Sequence, residues 1–279
     1  MTDTELLEQN PVIANQPEIK SDEEIQELIT EDLRGSVNDY LVSIIGKTST
    51  KLKNISELMK NSSLFSTTQS QTALDKKYIA IRHMSIPTIP GFTGTYKSLL
   101  QDMRSLVGLM EIDKNQIQPS IIYFHRLLSN PNLFKSNVTK GIVSSDWQDT
   151  DWTEVRSKLS RHFQTHDNKS YRKFGDCFES MNDYDHAISE TKHLMSILSH
   201  SKLTHITKMI DELDATAQKC YLQYSTRPDF EISAAVRKLS AKLLRGSATA
   251  AETLAFYMHI LTQVSVSYKN IDTAVKKQA

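Results

Sequence analysis

The chain has 279 residues, of which 39% are hydrophobic, and this is enough apolar material for a sizeable core. The 8 glycines and 7 prolines are few, which disfavours an all-β fold with many tight turns and favours long helices. Lys plus Arg equals Asp plus Glu at 33 each, and 2 cysteines are too few for a disulfide-stapled secreted domain, which favours a reducing compartment.

The N-terminal segment is strongly acidic. Residues 1–32 hold ten acidic side chains against one lysine, so the remaining 247 carry a net charge of +9. We expect residues 1–22 to form a flexible, solvated leader; a shield for the protein's own basic face and a segment removed by processing are the alternatives. Neither a secretory signal peptide nor an apolar run of about 18 residues is present, so we predict no membrane span.

Residues 23–140 form the predicted N-terminal helical region. Apolar residues recur at helical spacing from Ile25 to Ile45 behind Ser21 or Asp22 as N-cap, which predicts a long amphipathic helix. Shorter helices are expected around residues 74–81, from Gly94 or Thr95 to Met110, and from 118 to about 130.

The stretch "MSIPTIPGFTGT" at 84–95 interrupts this helical pattern. Pro87 and Pro90 remove two backbone donors, so the stretch cannot be helical. It is either a connector that pins Ile86, Ile89 and Phe92 onto the core, or an exposed loop on which those three side chains bind a partner.

Residues 141–279 form the predicted C-terminal bundle, without any convincing strand. A helix is expected after Asp149 or Thr150, and another short one within residues 171–181. Heptad patterns at 203–224 and 254–275 predict two helices packed along a shared seam, with a third helix between them that ends at Gly246. The fold class is therefore all-α: a multi-helix bundle of long amphipathic helices, with coiled-coil-like antiparallel packing in the C-terminal half.

Histidines are the first candidates for a metal site. His162 and His166 lie four residues apart, but the glutamate of a metalloprotease motif is missing between them. His166 and Asp167 form a His-Asp pair of the kind that binds metal in helical phosphohydrolases, yet their surroundings are polar and offer no burial.

Three further histidines, His186, His193 and His200, repeat every seven residues and would line one face of a continuous helix. Successive members would be about 10 Å apart, too far to share one ion. We interpret them as an interface stripe whose protonation near pH 6 would loosen an assembly.

Basic residues cluster twice and are candidates for phosphate contacts. The alternative is an ordinary solvated helix face, with the interleaved aromatic side chains turned inward. The first cluster is Arg156, Lys158, Arg161, Lys169, Arg172 and Lys173; the second is Arg237, Lys238, Lys242 and Arg245.

Motifs for nucleophilic catalysis, phosphate-binding loops and dinucleotide binding are missing from the sequence, and Cys220 falls at a heptad core position. We therefore expect a non-enzymatic structural or assembly protein without cofactor or metal, acting on other protein subunits, in the cytoplasm or within a virus particle such as a tailed phage. A nucleic-acid-associated protein and a His-Asp metal-dependent phosphohydrolase are the second and third alternatives.

Overall fold

A computed structural model describes residues 70–139, 141–143, 147, 149–164, 170–225 and 232–278. The predicted acidic leader and the amphipathic helix expected from Ile25 to Ile45 lie outside these residues.

The described chain is mostly helical with almost no strand, and this confirms the all-α prediction. A π-helical turn (Asp113–Ile117) leads into the third helix, and a 3-10 helix (Pro131–Lys135) follows it. The helices are α1 (Gln71–Ile81), α2 (Tyr96–Leu106), α3 (Gln118–Ser129), α4 (Trp152–Ser160), α5 (Phe174–Cys177), α6 (Met181–Ile197), α7 (His200–Ser225) and α8 (Ala234–Gln278), and the strands are β1 (Ser85–Pro87) and β2 (Tyr171–Lys173).

Side-chain caps define where several helices begin. Thr95 caps α2 as predicted, because its Oγ1 accepts a hydrogen bond from the Ser98 amide at 3.2 Å. Asp151 caps α4, one or two residues later than predicted, and its Oδ1 accepts from two backbone amides, at 3.0 and 3.1 Å. A short polar side chain next to an apolar helical pattern thus sets each start.

The prediction that the chain has no strand is wrong at one place. β1 pairs antiparallel with β2, with Ile86 opposite Arg172. The pairing joins segments more than eighty residues apart, and it replaces the first turn of the helix expected within 171–181. Prolines hold the 84–95 stretch extended, so its remaining backbone groups are available for a ladder.

The helix expected to end at Gly246 instead continues, and α8 runs for 45 residues. A Cβ on Gly246 would lie 2.8 Å from Nε2 of Gln116. The glycine therefore serves a close approach between the π-helical turn and α8, and not a helix end.

The predicted seam between the two heptad helices is not confirmed. The main partner of α7 is α3, whereas α8 packs mainly on α4, α6 and β1. Single contacts show the same division: Cys220 Sγ on α7 donates to the Phe124 carbonyl of α3 at 3.4 Å, and the Tyr257 hydroxyl on α8 donates to the Met103 carbonyl of α2 at 2.8 Å. A regular seven-residue spacing identifies a buried face but not the element that covers it.

The C-terminal half of α8 reaches an aromatic cluster. Tyr96 and Phe178 stack with ring centroids 5.1 Å apart and planes 9° from parallel, and Tyr268 of α8 lies 5.2 Å from Tyr96. Such offset and tilted pairs stabilise beyond the area they bury. The aromatic cluster comprises Phe92, Tyr96, Phe174, Phe178, Tyr184 and Tyr268.

The N-terminal half of α8 instead meets α3 and the π-helical turn through a polar seam. Oγ of Ser120 and Oγ of Ser247 are 3.3 Å apart, and the Tyr123 hydroxyl lies 2.9 Å from Oγ of Ser240. The polar seam comprises Gln116, Ser120, Tyr123, Ser240 and Ser247.

Candidate functional site

The 84–95 stretch is a connector whose apolar side chains belong to the core. Ile86, Ile89 and Phe92 are 0%, 7% and 3% exposed. The alternative prediction, an exposed loop on which these three side chains bind a partner, is therefore wrong, because the side chains are buried. The connector interpretation agrees with their position.

Backbone hydrogen bonds fix the connector onto the segment that leads from α4 to β2. The amide of Thr93 donates to the His162 carbonyl at 3.0 Å, and the amide of Gln164 donates to the Gly91 carbonyl at 2.8 Å. Gly91 has a φ of 74°, a left-handed conformation that glycine adopts without strain. The stretch is thus rigidly held at both its backbone and its side chains.

One charged cluster lies at the edge of this connector, and we call it the carboxylate clamp: Asp102, Arg161 and His162. Asp102 on α2 accepts through Oδ2 from Nη2 of Arg161 at 2.6 Å and from Nε at 3.1 Å. Nε2 of His162 lies 2.6 Å from the same oxygen. Burial raises the pKa of the Asp102 carboxyl, but the hydrogen bonds from His162 and Arg161 outweigh it and hold the pKa below its usual value.

A His-Asp pair is also half of a nucleophile-activating triad, so the free side of the imidazole decides what the pair can do. That side faces the connector backbone: a Cβ on Gly94 would lie 3.1 Å from Nδ1 of His162. The His162 residue is 5% exposed. The geometry favours a role in joining α2, α4 and the connector over a role in proton transfer.

The first predicted basic cluster is divided among several internal contacts. Arg161 belongs to the clamp, and Arg172 donates to the carbonyls of Gly94 at 2.5 Å and Asp176 at 3.2 Å. Lys173 is exposed on β2. Lys169 lies outside the described residues.

Carboxylates neutralise the cations of this cluster on α4. Arg156 lies 3.6 Å from Glu252 and over the ring of Phe256, and Lys158 lies 3.2 Å from Glu154. The cluster therefore fits the alternative of solvated and cross-linked helix faces better than a single surface for phosphates. Nucleic-acid binding through it stays a prediction.

The second predicted basic cluster lies on one helix, where Lys238, Lys242 and Arg245 are four and three residues apart and share an exposed face of α8. We call these three residues the basic strip. Nζ of Lys242 contacts the Asp149 carboxylate and lies 5.3 Å from the centre of the Trp147 ring. No Asp or Glu occurs between residues 232 and 251, so the strip is a local excess of positive charge.

The three predicted interface histidines do not share one helix. His186 and His193 are exposed on α6, which ends at Ile197, and Leu198 leaves the helical conformation with a ψ of 53°. His200 is the first residue of α7. The prediction that the three histidines lie on one continuous helix is wrong. An interface stripe can therefore include only His186 and His193 on α6.

The predicted metal pair His166 and Asp167 lies outside the described residues. Within the parts of the chain that the structure describes, no group of three His, Cys, Asp or Glu side chains is placed to hold a metal ion. Cys177 and Cys220 are both buried, and burial raises their pKa values to about 11 and about 12. Cys220 thus packs in the core, as its heptad position predicts.

Sequence reasoning missed the clamp and the polar seam. Asp102 and His162 are sixty residues apart, and neither shows a local motif. The serines of the seam look like solvent-facing positions in an amphipathic pattern. A shallow groove of about 370 Å³ on α3, lined in part by Ile122, Arg126 and Leu133, was also unmarked in the sequence.

No known family model matches the chain, and searches of curated proteins and solved structures find no significant similarity. In the described ranges, none of the helices combines the length and the apolar character needed to cross a membrane.

Proposed function

We propose that this chain is a non-enzymatic structural or assembly protein that acts through helix packing and contacts with other protein subunits, in an assembly such as a tailed-phage virus particle. The observation that carries the proposal is the use of the ionisable side chains. Several of those that the sequence marks for chemistry, such as His162 and Arg172, are held by neighbouring carboxylates and carbonyls that join one element to another.

The long helix supports the same proposal. At 1.5 Å per residue, the 45 residues of α8 extend for about 67 Å, and contacts with α4, α6, β1 and α3 fasten the helix along its length. A rigid element of that size suits a subunit that holds its neighbours at fixed distances. The acidic leader and the low glycine content are compatible with an internal component of a virus particle.

The test is the mass of the native complex. The tagged full chain is recovered from its source under mild conditions and measured by native mass spectrometry and sedimentation velocity. We expect a defined stoichiometry with other subunits or with further copies of the chain. A chain that remains a monomer at every concentration, or that turns over a phosphate ester in a metal-dependent manner, would contradict the proposal.

The exposed histidines of α6 give a sharper version of this test. If His186 and His193 lie in an interface, the assembly mass should fall between pH 8 and pH 5.5, because histidine gains its charge in that range. A variant with both residues changed to alanine should lose the pH response, whereas a Lys97→Ala control, also at an exposed position, should keep it. An unchanged mass across this range would remove the histidines from the interface.

Nucleic-acid binding is the second candidate, and one contact favours it. Lys242 of the basic strip lies over the half-buried ring of Trp147, so a cation and an aromatic ring occur side by side. Retention of the full chain on single-stranded DNA should then depend on salt and weaken when the three residues of the strip are changed to glutamate. The matched control is the change of Lys97, Lys158 and Lys173 to glutamate.

A further inference from the structure

We propose that the acidic N-terminal segment of the same chain, residues 18–32, binds the basic strip of α8. The strip offers Lys238, Lys242 and Arg245 on one exposed helix face. The segment offers seven carboxylates and one lysine within fifteen residues. This proposal concerns an internal contact and does not depend on the identity of any external partner.

The strip differs from the cations of α2 and α4, which are all paired with carboxylates, in how little negative charge accompanies it. Lys97, Lys158 and Arg156 each have a carboxylate within 4.0 Å. Lys238 and Arg245 form no ion pair with any residue that the structure describes, and Asp149 is the one described carboxylate that pairs with Lys242. The strip therefore keeps most of its positive potential, and a dense run of carboxylates is its natural complement.

The distribution of charge along the whole chain supports the same contact. Residues 1–32 carry a net charge of −9 and the rest carries +9. Between residues 232 and 251 there are four cations and no carboxylate, so this part of α8 holds a large share of the unmatched positive charge. Opposite charges concentrated in two separate segments of one chain attract each other at a high effective concentration.

The covalent link is long enough for the contact. Residues 33–69 separate the acidic segment from α1. With residues 33–45 in the expected helix and residues 46–69 extended, they can span about 20 Å and about 80 Å, together about 100 Å. That distance exceeds the length of about 67 Å of α8, the longest described element. The acidic segment can therefore reach the strip wherever α1 lies on the body.

The experiment is zero-length cross-linking of the full chain with a carbodiimide, which joins a carboxylate to a lysine only when the two are in contact. We expect cross-links from residues 18–32 to Lys238 and Lys242, and far fewer to the equally exposed Lys97 and Lys158. These links should be lost in 1 M salt, where charges are screened beyond about 3 Å. An even spread over all exposed lysines would overturn the proposal.

A mixture of isotope-labelled and unlabelled chains identifies the source of the segment. Links confined to chains of one isotope support an internal contact. Links between the two isotopes in proportion to mixing would show that the segment belongs to a second copy, which overturns the proposal as stated.

Acetylation of lysine amines provides a measurement that needs no change in the strip. We compare the wild-type chain with a variant whose seven carboxylates in residues 18–32 are changed to amides. The variant should show faster acetylation of Lys238 and Lys242, with the rate at Lys97 unchanged, and 1 M salt should bring the wild type to the variant's rate. Equal rates in the two chains would contradict the contact.

Discussion

The two halves of α8 are buried against chemically different surfaces. Its C-terminal half packs into the aromatic cluster, whose rings meet at centroid distances from 4.9 to 6.3 Å over a wide range of angles. Its N-terminal half meets the polar seam, where hydroxyl and amide groups must find partners at about 3 Å. One helix therefore depends on apolar contact at one end and on directed hydrogen bonds at the other.

The aromatic cluster and the polar seam therefore contribute differently: one stabilises α8, and the other fixes its axial position. Apolar burial scales with area and tolerates small displacements, so the aromatic cluster supplies free energy without fixing the helix closely. A hydrogen bond weakens steeply when its atoms move, and a buried polar group left without a partner costs more than the bond contributed. We infer that the seam sets the axial position of α8 against α3, while the cluster holds it there.

The largest expected effect is in the aromatic cluster. Phe178→Ala removes a fully buried ring that contacts Tyr96, Phe174 and Tyr184. We expect the free energy of unfolding to fall by about 3–5 kcal/mol, because both apolar burial and packing are lost. Urea denaturation followed by circular dichroism measures the change.

Ile79→Ala is the matched control, because Ile79 is 60% exposed on α1. Its effect should stay within about 0.5 kcal/mol. If Phe178→Ala cost no more than this control, the cluster would not be the main source of stability at this end of the molecule.

The carboxylate clamp at the edge of the cluster is expected to make this end sensitive to acid. Asp102→Asn should lower the free energy of unfolding by about 1.5–3 kcal/mol near pH 7, the usual range for hydrogen bonds to a charged group. The folded-state pKa of Asp102 is depressed, so its contribution is present above the unfolded pKa and is lost as the pH falls through the folded value.

The free energies of unfolding of the wild type and Asp102→Asn should therefore approach each other as the pH falls below about 4, the ordinary pKa of an aspartate. Ser120→Ala in the polar seam is the comparison, and its effect should be independent of pH over the same range. A constant difference for Asp102→Asn down to pH 2 would mean that the clamp does not require the ionised carboxylate.

Local signals explain which parts of the fold the sequence predicts. The start of α2 is readable because Thr95 and the apolar face behind it are adjacent in the chain. Helix α7 is readable from its heptads, and so is the burial of Cys220. Each depends on residues within a few turns of one another.

Long-range contacts explain what the sequence does not predict. The pairing of β1 with β2 and the contact between Asp102 and His162 join residues at least sixty apart, and nothing local marks them. At Gly246 a local signal is misleading, because glycine often ends a helix but here serves a close approach from another element. The two basic surfaces show the same contrast between local and long-range order. The basic strip lies on one helix and is readable from the sequence, whereas the first basic cluster is spread over several elements.

Gly246 also gives a prediction in which two effects oppose each other. In an exposed helix Gly→Ala would stabilise by about 1 kcal/mol, but here the new Cβ would lie 2.8 Å from Nε2 of Gln116. Gln116 is buried and accepts a hydrogen bond from Trp147, so it cannot move without loss. We expect Gly246→Ala to destabilise by about 1–2 kcal/mol net, as overpacking does.

Gly108→Ala is the control, since a Cβ there would meet nothing within 4 Å. It should be neutral or slightly stabilising in the same urea titration. A stabilised Gly246→Ala would show that Gln116 can leave its position freely, and the seam would then not fix the register of α8.

The smallest effect tests the seam most directly, through one hydroxyl. Tyr123→Phe removes a buried hydroxyl that lies 2.9 Å from Oγ of Ser240 and donates to the Val236 carbonyl at 3.3 Å, and burial raises the pKa of this tyrosine to about 12. We expect a loss of about 0.5–1.5 kcal/mol, because the shorter contact with Ser240 supplies most of the net value. In a double-mutant cycle with Ser240→Ala, the second substitution should cost less in the phenylalanine background, because the bond has already been removed. Additive costs would mean that the two hydroxyls act separately, and the seam would then be a row of independent polar contacts without control over the position of α8.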